Sequence, residues 1–128
     1  MKSINLKKIR VTVLKEGILH IHLKSNCEIT LNDALLGLEA MEKLSGKSKM
    51  PVFIDAGEYC SIEKEVREFS ASEESNLYTL ADAIAYDNIG QKLIANFYLH
   101  SNKPVVPTKI FASKKEALVW LRTFLKKS

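Results

Sequence analysis

The ten residues Leu77–Tyr86, LYTLADAIAY, decide the fold of this chain. Three alanines and two leucines favour a helix on intrinsic propensity. The boundaries favour a strand, because Ser, Glu and Asn precede the run and Asp87-Asn88 closes it, and polar turn-forming clusters bracket strands in this way. Read as a strand, the run is a central rung of a sheet, with small side chains that let helices pack closely on both faces. Read as a helix, it removes that rung. We take the strand.

Downstream, a helix is expected from about Asn88 to Leu99, with Ile89, Leu93, Ile94 and Phe97 turned inward. Pro107 then introduces a strand over 108–112. Ser113-x-x-Glu116 has the spacing of a capping box, in which each side chain satisfies the other's orphan amide. The final helix buries Ala117, Leu118, Leu121 and Phe124, with Trp120 at its edge.

Upstream, Pro51 precedes VFIDA, an apolar run that reads as a buried strand. The chain opens as a hairpin. Ile9, Val11 and Val13 alternate with polar neighbours, Lys15-Glu16-Gly17 turns the chain, and Leu19, Ile21 and Leu23 alternate with His20, His22 and Lys24. Thr30 can cap a helix carrying Leu31, Ala34, Leu35, Leu38 and Met41, and Gly46 sits where a C-terminal cap belongs. A second helix is expected from Ser61, with Glu63 and Glu65 in its first turn. The predicted order is ββαβαβαβα: one α/β domain over residues 1–128, a mixed sheet with helices packed against it.

At 128 residues the chain is long enough for a substantial core. No apolar run reaches the roughly 20 residues that span a bilayer, and MKSINLKKIRVTV lacks a signal-peptide core. Cys27 and Cys60 are too few for a disulfide scaffold and their spacing fits no zinc motif, so a reduced, cytoplasmic setting is expected. The net charge of +4 is uneven: both ends are basic, while residues 27–102 carry thirteen acids against six bases. Without a basic stripe interleaved with aromatics, nucleic acid is not the expected partner.

The order of elements, with particular stretches, resembles the STAS-type fold of bacterial anti-sigma-factor antagonists, and more narrowly a group of small bacterial STAS-like proteins. The matching residues are Gly17-Ile18-Leu19, Ile29-Thr30-Leu31-Asn32-Asp33-Ala34, Pro51-Val52-Phe53-Ile54-Asp55 and Val66-Arg67-Glu68-Phe69. The closing match runs from Asn96-Phe97 through Asn102-Lys103-Pro104 and Pro107-Thr108 to Ala117-Leu118-x-Trp120-Leu121. The resemblance implies a domain that binds a protein partner without catalysis, often in signalling, and is switched by phosphorylation of an Asp-Ser-Ser-Gly-like turn. Here that region reads Tyr59-Cys60-Ser61-Ile62-Glu63-Lys64, so the motif is absent. The related CRAL-TRIO-like lipid carriers imply a buried lipid pocket as the alternative.

Ser61 reads as a helix cap before a phosphorylation site. Asp55 to Glu74 carries seven acids against Lys64 and Arg67, and Ser61, Glu63, Lys64, Glu65 and Glu68 form the expected partner surface. Asn96, Asn102 and Lys103 surround a proline-fixed loop suited to an anion or a peptide, or to satisfying backbone groups. His20 and His22 share a strand face, but the sequence supplies no third ligand, so no metal is assigned and a solvated hairpin face is expected. Asp55 with Lys103-Pro104 imitates a phosphoacceptor receiver without its acidic pair, so Asp55 is expected to bond backbone after its strand. No nucleophile–base–oxyanion set and no glycine-rich phosphate loop is present. The sequence thus reads as a non-enzymatic protein-binding module with no cofactor, able to dimerise through the hairpin edge.

Overall fold

The computed structural model describes residues 2–125. A six-stranded mixed sheet is built from β1 (Ser3–Asn5), β2 (Ile9–Val13), β3 (Leu19–Leu23), β5 (Met50–Ala56), β7 (Thr79–Ala85) and β8 (Thr108–Phe111), side by side in that order. β1, β2 and β3 are antiparallel, and β3, β5, β7 and β8 are parallel. LYTLADAIAY therefore supplies a strand between two parallel neighbours. A two-stranded parallel pair, β4 (Glu28–Ile29) with β6 (Ser61–Ile62), stands apart from the main sheet. The helices are α1 (Leu31–Ser45), α2 (Lys64–Ser70), α3 (Ile89–Phe97) and α4 (Lys114–Arg122), and a π-helical turn over Tyr98–Asn102 extends α3.

Local chemistry sets the ends of α1. Thr30 Oγ1 accepts from the Asp33 amide, and the Asp33 carboxylate accepts from the Thr30 amide, closing a capping box. Lys8 Nζ sits 3.0 Å from the Asp33 carboxylate and ties the β1–β2 turn to this helix start. Gly46 takes a left-handed conformation, φ 63, and donates to Glu42 O, ending α1 as glycine does at little cost. At Ser113 only half of the expected box forms. Its hydroxyl oxygen accepts from the Glu116 amide at 3.2 Å, and the Glu116 carboxylate meets the Ser113 hydroxyl instead of the cap amide.

The crossovers β3–α1–β5, β5–α2–β7 and β7–α3–β8 all step the same way across the sheet. Right-handed connections then place α1, α2 and α3 on one face, and α4, which follows the last strand, covers the other. Two apolar clusters reflect this. Ile9, Val11, Leu19 and Val52 meet Ala40 and Met41 of α1 and Val66 of α2. On the opposite face Phe53, Ala81 and Ala83 meet Ala117 and Leu121 of α4. Ala81 and Ala83 are the small residues that let a helix close on β7, but on the α4 face alone. Asp82 and Ile84 point the other way, where the helices stand off.

Three local expectations are corrected. The second helix starts at Lys64, because the Ser61 amide donates to Cys27 O (3.0 Å) and the Glu63 amide to Ile29 O (3.3 Å), which holds Ser61 in β6. The apolar residues of α3 do not face the core: Ile89 is 73% exposed and Leu93 63%, and Ala95 is the buried residue of that helix. The edge of the β2–β3 hairpin is occupied by β1, a short strand flanked by lysine, which blunts edge pairing.

Candidate functional site

Between the sheet and α1–α3 lies a cavity of about 220 Å³. Its sheet floor is Ile21 and Leu23 of β3, Ile54 of β5 and Asp82 and Ile84 of β7. Leu38 and Met41 of α1, Val66 and Arg67 of α2, and Ile94 and Ala95 of α3 form the helical wall, with Tyr98 at one end. Native interiors rarely leave voids larger than a water molecule, so a mostly apolar hollow of this size is the candidate site. The sequence creates it by pairing a seven-residue α2 with an α3 that buries only alanine against the sheet.

Polar groups in the cavity are held neutral or left unpaired. Burial pushes the Asp82 carboxyl up from 3.8 to about 7, and nothing charged is placed to offset it. Burial, then the nearby Asp82 charge, raises the Tyr98 phenol. The Cys60 thiol is pushed up to about 11 by burial and by its neighbour Cys27. Arg67 donates to Ile62 O at 2.8 Å and lies 5.6 Å over the Phe97 ring, while its buried Nε has no partner. Such orphaned donors are uncommon in native interiors. A carboxyl whose pKa is raised toward 7, a phenol and a guanidinium on an apolar wall can hold a small amphipathic molecule by its polar head.

A family model described as Domain of unknown function (DUF7793) matches residues 12–125. The chain belongs to the DUF7793 family. This DUF7793 chain is similar in structure to an uncharacterised protein of the DUF3478 family with a SpoIIAA-like fold from Shewanella loihica PV-4. The two are 17% identical, with 94% of this chain and 99% of that one covered and a TM-score of 0.63. The STAS-like fold implied by the sequence is thereby shown. A protein of unknown function from Arthrobacter sp. FB24 aligns at 24% identity over 88% of this chain and 97% of its own, with a TM-score of 0.32. No curated protein matches. No helix among the described residues is long and apolar enough to cross a membrane.

The residues singled out from the DUF7793 sequence fall in three places. Ser61, Lys64, Glu65 and Glu68 are exposed on β6 and α2, and Glu63 is the N-cap residue of α2 without a side-chain bond to the helix. No ion pair among the described residues involves Glu58, Glu63, Glu65, Glu68, Glu73 or Glu74. Asn96, Asn102 and Lys103 do not converge: Lys103 is exposed at φ 51, Asn96 is half-buried on α3, and Asn102 Oδ1 is buried without a partner. His20 and His22 are not a solvated face. Both rings reach Asp55 Oδ1, at 2.9 and 2.8 Å, so Asp55 bonds two side chains instead of loop backbone. Burial works to raise the Asp55 carboxyl, but the bonds and charge of both histidines outweigh it and hold it below the ordinary value. Sequence reasoning missed Asp82, whose one signal was an acid at the centre of an otherwise apolar strand.

Proposed function

We propose that this chain is a non-catalytic STAS-like binding module whose site is the cavity beneath α1–α3. The cavity itself carries the reading. A roughly 150 Å³ apolar cavity is enough to take benzene, so about 220 Å³ suits a larger apolar body. Asp82 at the floor, kept protonated toward neutrality by burial, suits a hydroxyl, amide or other uncharged polar head. Of the two readings open in the sequence, this favours the small-ligand carrier. Native mass spectrometry of freshly purified protein should show a co-purifying mass. A protein supplied bare should gain thermal stability from n-decanol, and Ala95→Phe, which fills the cavity from α3, should remove that gain. A bare mass together with no response to n-decanol in a folded protein would end this reading.

The unpaired glutamates around α2 support a second reading, in which the module docks a basic region of another protein, in signalling or otherwise. Opposite charge steers such encounters and sets their salt dependence. Reversing Glu63, Glu65 and Glu68 to lysine should abolish capture of a basic partner in a pulldown, and unchanged capture would exclude the surface.

A further inference from the structure

We infer that His20, His22 and Asp55 form a binding site for one divalent transition-metal ion, held through His20 Nε2, His22 Nδ1 and a carboxylate oxygen of Asp55. The two histidines lie on the α4 face of the sheet, opposite the cavity, which borders Asp55 but neither ring. Strand geometry builds the site. Residues two apart on β3 point the same way, and the parallel register sets His22 beside Asp55 and His20 beside Phe53. The two rings converge on one oxygen at 2.9 and 2.8 Å, and the three ligating atoms lie within 4.8 Å of one another. Packing fixes the His20 ring further, with its centroid 5.0 Å from that of Phe53.

Metal–ligand bonds of about 2.0–2.1 Å at tetrahedral angles put neighbouring ligand atoms roughly 3.3 Å apart. Opening the present contacts by about half an ångström therefore admits an ion with no change of strand register. Two imidazoles and one carboxylate suit zinc, cobalt, nickel or copper, whereas magnesium and calcium take oxygen ligands. Arg10, the cross-strand neighbour of His22, stands on the same face and opposes a cation held by charge alone. Imidazole lone pairs must then supply the affinity. The three side chains are 15, 25 and 30% exposed, which leaves the ion's remaining position open to water or to a ligand from outside.

The test uses the full chain with Cys27→Ser and Cys60→Ser, which removes thiol competitors for zinc. Calorimetric titration should give one Zn²⁺ per chain. His22→Gln and Asp55→Asn should each weaken binding at least about tenfold, since even supporting residues of metal sites are worth that much. Adding Co²⁺ should also broaden the ring NMR signals of His20 and His22 before that of His100, a measurement that needs no further variant. Absence of saturable zinc binding, affinity unchanged in both variants, or broadening confined to His100 would overturn the site.

Discussion

Asp82 and Asp55 lie on neighbouring strands and are shifted in opposite senses, and the difference is set by what each touches. Asp82 has no offsetting partner, so its folded pKa of about 7 exceeds the unfolded 3.8. The folded chain then holds a proton that the unfolded chain releases, and stability falls as pH rises from about 4 to about 7 and is level above. The full difference is on the order of 4 kcal/mol. Asp82→Asn is expected to raise the urea midpoint at pH 8 and to flatten that decline. Coincident pH profiles for the two proteins would contradict it. Asp55 is lowered, so its contribution is present above the unfolded 3.8 and lost as pH falls below it, outside the Asp82 window. Gly46 is a purely local case. Nothing lies within 4 Å of a Cβ built there, so Gly46→Ala should cost about 1 kcal/mol from the left-handed backbone alone. Chemical denaturation would check it. Gly46 was legible in the sequence because a cap depends on its immediate neighbours. The pKa of Asp82 was not, because it depends on burial by residues far along the chain.

Among the elements, α3 separates periodicity from packing. Ile89, Leu93, Ile94 and Phe97 recur at helical spacing, which correctly marks a helix and wrongly marks its apolar face as buried. The cavity stands between that helix and the sheet, so the stripe borders a hollow and solvent instead of a packed wall. Leu93→Gln should therefore change stability by less than about 0.5 kcal/mol. A loss of about 2 kcal/mol or more would mean that the residue is in the core. The N-cap of α1 gives the converse case, since Thr30 and the amide it caps are three residues apart. Thr30→Ala should lower stability by about 1 kcal/mol, read as a shifted thermal midpoint. For α2 the register with β4 decided the start, and the Ser61 amide was taken by Cys27, a residue of the preceding connection.

Across the whole molecule the two faces of the sheet are unequal. The α4 face is sealed by Ala81, Ala83, Ala117 and Leu121, all without exposed surface. The α1–α3 face holds the hollow. Because α4 is the one helix on its face among the described residues, Leu121→Ala should cost about 2–5 kcal/mol with little room to collapse. A urea denaturation series giving less than about 1 kcal/mol would show that the face is loosely packed. Filling the other face should act in the opposite direction, as the Ala95→Phe variant would show through lost ligand response without lost folding.

The sequence by itself determined the kinds and order of the main elements, but not the short strands β1, β4 and β6. Alternation, helical spacing, caps and turns act over a few residues and are written contiguously, as in LYTLADAIAY, the Thr30 cap and Gly46. Tertiary structure alone decided which face each helix covers, where the hollow lies, and that His20 and His22 meet Asp55. Those outcomes rest on strand register and on connection handedness, which join residues more than thirty positions apart. No local pattern encodes such a distance, because the pairing is chosen by the free energy of the whole packed layer.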